Sequence, residues 1–244
     1  MEVHHHTHHP KKWKEYFWEF FMLFLAVFCG FLAEIQVEHY VEHQREKKFV
    51  DQLLLDLNSD EKNLTDYLTG QELRGKQIDT LFNLIRNNQY NSNACDVYFF
   101  ARKLSRYGNY VPTDGTISQL KFGGNLRLIK KDKIVSTILD YDITTKTLTQ
   151  FISTSFQDIL NYRLCTEELF DAKDFYDMMD QKSEIQRLNN CSPLLDKSPS
   201  KINAFLMRLQ YMKSANTRYI NKAKELLEKE NDLKKLIKKE YKID

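Results

Sequence analysis

Five histidines, His4, His5, His6, His8 and His9, stand within the first nine residues. Neutral imidazole ligates Zn, Cu and Ni, and a short His-rich tract is a compositional metal signal, so these five are the candidate metal ligands, with Zn as the ion to test. The competing reading is a solvated tail that adds partial positive charge. Thr7 interrupts the run, and Pro10, Lys11, Lys12 and Lys14 lead straight into an apolar stretch, which is unlike a regular purification tag. His39 and His43 stand one helical turn apart beside Glu38 and Glu42, a spacing that can hold a metal. Two ligands from one helix do not complete a site. No histidine follows His43, which argues against His-dependent hydrolase or metalloenzyme chemistry in the remaining two hundred or so residues.

Other residue types point to little chemistry. "FGGN" followed by lysines lacks the Gly-Lys-Ser/Thr ending and the preceding strand of a phosphate cradle. Two short helices carrying Lys121, Arg127, Lys130, Lys131 and Lys133 match a helix-turn-helix only if that region faces the cytoplasm, and nucleic acid is not expected as a partner. Carboxylates are scattered over amphipathic faces and no nucleophile has a recognisable setting, so the chain does not read as an enzyme and no cofactor is expected beyond Zn at the tail. Of four cysteines, Cys29 lies in the apolar stretch, leaving Cys95, Cys165 and Cys191. The odd count favours three free or buried thiols; Cys191, in a loop, could reach either partner if the surroundings oxidise.

The elements that position these residues are helical. Of 244 residues 42% are hydrophobic and 29% charged, yet there are only seven glycines and four prolines, which disfavours sandwiches and barrels. A net charge of +2 gives no global nucleic-acid or membrane-surface signature. From Tyr16 to Ile35 the sequence is apolar apart from Glu19 and Glu34. A helix of that length is about 30 Å long, the thickness of a bilayer's hydrocarbon core. Trp13, Tyr16, Phe17 and Trp18 supply an interfacial aromatic belt, and Lys11, Lys12 and Lys14 a positive flank. The other end opens on Glu34, Glu38 and Glu42. This asymmetry predicts a transmembrane helix over 16–36 with a His-rich cytoplasmic tail over 1–15. No A-x-A-like cleavage site follows, and Phe28 before Cys29 is too bulky for a lipoprotein signal, so the anchor reads as uncleaved. Glu19, Leu23, Ala26, Gly30, Ala33 and Val37 share one face of this helix, which presents small residues and one carboxylate for packing against a second transmembrane helix.

Beyond the span, Val37, Tyr40, Val41, Phe49, Val50, Leu53, Leu54 and Leu57 recur at three- and four-residue spacing, and the pattern continues to Ile85. This predicts a stalk helix over 37–90, with Gly70 and Gly75 as candidate kinks. A helical subdomain follows over 91–190: a helix over 94–107, the loop "YGNYVPTDG", a short helix stopped by Gly123 and Gly124, and a longer one capped near Asn125 or Asp132. "SPLLDKSPSK" is a Pro-Ser loop. The stripe Phe205, Leu209, Met212, Tyr219, Ile220, Ala223, Leu226, Leu227, Leu233 and Ile237 then predicts one long C-terminal helix within 200–242, running back antiparallel along the stalk in coiled-coil fashion.

The stretches "REKKFVDQLLLDLNSDEKNL" and "ISQLKFGGNLRLIKKDKIVSTILDYD", set behind an anchor, resemble an uncharacterised family of single-span membrane proteins of the Bacteroidota. The resemblance covers the anchor, the stalk and the hairpin, and it implies an N-terminal anchor with a helical domain and no established activity. The His-rich tail departs from that pattern. The expectation is thus an all-α, single-pass protein of the inner (cytoplasmic) membrane, its main domain periplasmic and built as an elongated antiparallel bundle. Its partners would be the lipid bilayer and either copies of itself, as a homo-oligomer, or another membrane protein. The function expected is that of a structural, scaffolding or sensory component of a membrane complex; the alternative is a metal-handling (Zn, Cu or Ni) sensor or transporter accessory that uses the His cluster.

Overall fold

A computed structural model describes residues 12–106 and 108–243. Among the described residues there are six α-helices and no strand: α1 Trp13–Arg86, α2 Ala94–Leu104, α3 Gly115–Phe122, α4 Asp132–Leu169, α5 Ala172–Asp177 and α6 Pro199–Tyr241, with one 3-10 turn at Asn125–Leu128. The all-α class expected from the periodicity is the class observed. The chain divides into two compact units, Met1–Asp51 and Gln52–Asp244.

In the first unit every described residue from Trp13 to Val41 is exposed. Phe20 and Leu23 show 66% and 67% of their surface, values typical of polar residues in water. Rows of rings line this part of α1 at four-residue steps, Phe20 on Phe24 and Phe24 on Phe28, with centroids 6.4 and 5.9 Å apart. Helical geometry brings residues four apart together, so these contacts need no partner helix.

The second unit packs the later part of α1, α4 and α6 around a common core. Ion pairs fix the register: Glu61, Glu72 and Asp79 of α1 meet Lys234, Lys224 and Lys213 of α6, so the two helices run antiparallel. Likewise Asp140 and Glu168 of α4 meet Lys229 and Lys201, so α6 is antiparallel to α4 as well. The stripe read from the sequence is what these helices bury, including Leu53, Leu57, Leu64, Leu81, Phe205, Leu209, Leu226 and Leu233. Each such side chain contributes about 1.5–3 kcal/mol on burial, far more than the exposed ion pairs around it.

Several boundaries differ from the expected ones for local reasons. α1 passes through Gly70 and Gly75 and ends at Arg86, four residues short of the expected stalk. α2 stops at Leu104 because the carbonyls of Leu104, Ser105 and Arg106 are taken by the guanidinium groups of Arg74 and Arg163 in place of further helical N–H groups. α6 starts at Pro199, since the first helical turn needs no proline N–H, and ends where Lys242 turns left-handed at φ 54°. Gly124, at φ 66°, supplies the left-handed residue that separates α3 from the 3-10 turn. α5 was not legible as a periodic stretch: it is six residues long and is held by the Asp171 side chain, which accepts from the Lys173 N–H at 2.7 Å.

The expectation of three free thiols is overturned. Cys95, at the start of α2, and Cys191, in the loop before α6, form a disulfide, leaving Cys29 exposed and Cys165 partly buried as thiols. The pairing is spatial: Cys191 packs against an apolar cluster built from Tyr98, Phe170, Met178, Leu194 and Phe205, which folds the chain from 185 to 194 back over α2.

Candidate functional site

The residues singled out by sequence fall in three places. His4, His5, His6, His8 and His9 lie outside the described residues. Glu19, Leu23, Ala26, Gly30, Ala33 and Val37 all lie on α1 and are all exposed, and a Cβ added at Gly30 would meet no atom within 4 Å. Steps of four, three, four, three and four residues keep these positions on one side of the helix, with the Phe20, Phe24 and Phe28 rings turned elsewhere. α1 is also the one helix among the described residues long and apolar enough to cross a membrane. His39 is exposed, and His43 places Nδ1 3.2 Å from Glu46 Oε2, an intrahelical pair that uses the ring as a partner for one carboxylate. Among the described residues no group of three His, Cys, Asp or Glu is placed to hold a metal ion.

Sequence reasoning missed the polar centre of the second unit. Asp60 of α1 is fully buried; its Oδ2 accepts from the Tyr110 hydroxyl at 2.6 Å and from the Tyr141 hydroxyl, and its Oδ1 from the Thr113 N–H at 2.9 Å. Three donors satisfy a buried carboxylate, and burial together with the Asp60 charge pushes both tyrosine hydroxyls far up, so they remain donors. Beside it, Glu230 of α6 is equally inaccessible, yet neither of its carboxylate oxygens has a hydrogen bond. Among the described residues its one charge partner is Lys234 Nζ at 3.3 Å, which is bonded more closely to Glu61, at 2.7 Å. Burial pushes the Glu230 carboxyl up to about 7, with Lys234 opposing the shift and Asp60 and Glu61 adding to it.

This cluster had a sequence signal. Glu230 occupies a core step of the α6 stripe, between Leu226 and Leu233, and Asp60 occupies the corresponding step of α1 between Leu57 and Leu64. A charged residue at a core position requires a buried partner, and the long-range partner is what periodicity cannot name.

A second polar group gathers at the end of α2. Arg74 donates to the carbonyls of Leu104 and Arg106 at 2.9 Å each, Arg163 donates twice to the Ser105 carbonyl, and Arg102 bonds the Ser105 hydroxyl. Cations at a helix C-terminus meet the negative end of the macrodipole, so these arginines hold the chain after α2 in place. Burial lowers the pKa of Arg74, and the hydroxyls of Tyr162, Tyr219 and Tyr67 oppose the shift only in part.

No family model matches the chain, and neither a curated protein nor a solved structure matches it.

Proposed function

We propose that the chain is a single-pass inner-membrane protein, N-terminus in the cytoplasm, whose helical unit lies in the periplasm and serves as a structural, scaffolding or sensory component of a membrane complex. The observation that carries this reading is the apolar first part of α1, exposed on every side. In water such a surface far exceeds the apolar patches that soluble monomers expose; in a bilayer it is the expected lipid-facing helix. The lysines before it and glutamates after it support the orientation. The Cys95–Cys191 disulfide supports it independently, since such bonds persist in the periplasm and are rare in the cytosol. The resemblance to single-span proteins of the Bacteroidota agrees with the same placement.

The test is fusion of a fluorescent reporter and a periplasm-dependent phosphatase after Lys242. Phosphatase activity without fluorescence is expected; the reverse pattern overturns the orientation. A second reading rests on the five tail histidines, a metal-handling role. Submicromolar, stoichiometric Zn binding by the intact protein, lost on deletion of residues 4–9, would favour it over the solvated tail.

A further inference from the structure

Where α2, the end of α4 and α5 meet lies a pocket of about 430 Å³, within the volume range of small-ligand sites. Phe170, Ala172, Phe175 and Met179 supply its apolar lining, and Arg102 of α2 is the one cation among the described residues that line it. The wall from Phe170 to Met179 is fixed from three sides. The Asp171 N–H donates to the Tyr98 hydroxyl at 2.9 Å, and the buried Asp174 carboxylate accepts from the Ser192 N–H at 2.7 Å. Arg106 donates to the Met179 sulfur at 3.4 Å and to the Ser183 carbonyl. Phe170 and Phe175 stack on this wall with their centroids 5.4 Å apart.

Arg102 stands in this pocket with its charge unanswered. Its guanidinium carbon lies 5.4 Å from the centroid of the Phe175 ring, and Nη1 makes one long hydrogen bond, 3.4 Å, to the Ser105 hydroxyl. Nε is shut off from water and has no hydrogen-bond partner, and Nη2 bonds no described residue. A buried donor left without a partner calls for an explanation, and these two nitrogens form the guanidinium edge that takes a carboxylate through two parallel hydrogen bonds. Among the described residues no carboxylate is paired with Arg102, and the charges that act on it are of its own sign. Burial lowers its pKa, and Arg106 and Arg163 lower it further. Those two guanidinium groups are bonded to the carbonyls of Ser183 and Ser105, but their charge remains. Glu167, also on the lining, is exposed, so water screens its carboxylate.

We propose that this pocket binds a small carboxylic acid with an aromatic body, its carboxylate on the Nε–Nη2 edge of Arg102 and its ring against Phe175 and Met179. An apolar lining with one convergent charged group is the common composition of a small-ligand site. Ring contacts with Phe175 and a sulfur contact with Met179 favour an aromatic body over an aliphatic chain. Tyr176, also on the lining, is 80% exposed and in no ring contact among the described residues, so its ring is free to cover an occupant. The site lies wholly within the second unit, so it stands whichever side of a membrane that unit faces, and it would give a sensory role its ligand.

The test uses the full chain in detergent micelles and phenylacetate, titrated by calorimetry with protein-free micelles as the reference. Saturable binding is expected for the wild type. Phenylacetamide keeps the ring and loses the charge, and should bind at least about tenfold more weakly. Arg102→Met keeps an apolar stem and removes the guanidinium, which has one long hydrogen bond to lose. Thermal melting of that variant should be undiminished, and its affinity for phenylacetate at least about tenfold lower. The comparison of acid with amide uses the wild type alone, so it decides even where the variant melts lower. The proposal is overturned by any of four results: no saturable binding up to about 5 mM, equal affinity for the amide, equal binding by a folded Arg102→Met variant, or preference for phenethylamine over the acid, which would assign the pocket to Glu167.

Discussion

Asn216 of α6 sits so close to Gly75 of α1 that a Cβ built on the glycine would stand 2.8 Å from Asn216 Oδ1. Asn216 has little room to withdraw, because it is buried and its Nδ2 donates both to the Gln71 carbonyl at 3.1 Å and to Gln71 Oε1 at 2.7 Å. Gly75 therefore marks a close approach of the two helices, and a glycine that reads as a possible kink in the sequence is in fact a packing position.

The pair Gly75 and Gly70 gives a prediction of opposite signs. Both lie inside α1, so replacement by alanine gains up to about 1 kcal/mol in helix propensity at either site. At Gly70 nothing opposes the gain, and Gly70→Ala should raise stability by about 0.5–1 kcal/mol. At Gly75 the overlap with a held side chain outweighs it, and Gly75→Ala should lower stability by about 1–2 kcal/mol. Chemical denaturation in the same detergent measures both; two shifts of the same sign would contradict the close approach.

Glu230 predicts how stability depends on pH. Its carboxyl titrates near 7 in the folded protein against an ordinary 4.5, burial being the main cause. Between those values the unfolded chain has lost the proton and the folded chain keeps it, so this group makes stability fall as pH rises from 4.5 to 7. Above 7 the full penalty applies, of the order of 1–3 kcal/mol. Glu230→Gln stays neutral at every pH and should flatten that slope, stabilising the protein most at pH 8 and least at pH 4. An unchanged slope would mean the carboxyl is not the group responsible.

Asp142 works in the opposite direction. Burial raises its pKa, but hydrogen bonds from Lys121 and Lys146 outweigh that and hold it below the usual carboxylate range. Its contribution is present above its ordinary pKa and is lost as pH falls through its lowered one. Asp142→Asn should therefore cost stability at pH 7 and little at pH 2, with α3 loosened from α4, an effect visible as faster amide exchange over 115–122.

The Cys95–Cys191 bond closes a sequence separation of 96 residues. Constraint of so long a loop in the unfolded chain favours folding by about 2–5 kcal/mol, partly offset by strain and residual structure. Cys95→Ser or a reductant should lower the melting temperature by the same amount, whereas Cys165→Ser should leave the effect of reductant unchanged. Protein isolated with alkylating agent present and then run without reductant should show two free thiols, at Cys29 and Cys165; four would contradict the pairing and remove its support for an oxidising compartment.

How far the fold was legible follows from which interactions are local. Helices α1, α4 and α6 were readable because Leu53, Leu57 and Leu64, or Phe205, Leu209 and Met212, repeat at the helical period, and burial of such stripes is what drives these elements together. The partners of those stripes were less accessible. Asp60 meets Tyr110 and Tyr141 across 50 and 81 residues, and Cys95 meets Cys191 across 96, separations on which a single sequence carries no pairing information. The pocket around Arg102 was illegible for the same reason, since its aperiodic wall after Leu169 becomes a surface only when Tyr98, Ser192 and Arg106 tie it down.

The last prediction concerns the exposed face of Glu19, Leu23, Ala26, Gly30, Ala33 and Val37. Lipid gives no hydrophobic reward for pairing helices, so association in a bilayer depends on close backbone approach and on polar contacts. Ala26 and Gly30, four apart, allow such an approach, and the open space around Gly30 leaves room for a second helix. Glu19 adds to the argument, since a carboxylate within the membrane boundary costs up to about 2–3 kcal/mol at the centre, less near the interface, and is steered towards a partner or headgroups. The opposite side, with Phe20, Phe24 and Phe28 stacked along the helix, offers lipid a broad apolar surface and no comparable seam. Gly30→Leu should fill the seam and shift the protein towards monomer in crosslinking across a detergent series. Leu25→Ala, away from the seam, should leave the oligomer unchanged. A wild type that is monomeric at every detergent concentration, or a Gly30→Leu variant that crosslinks as the wild type does, would remove this face from the protein's associations.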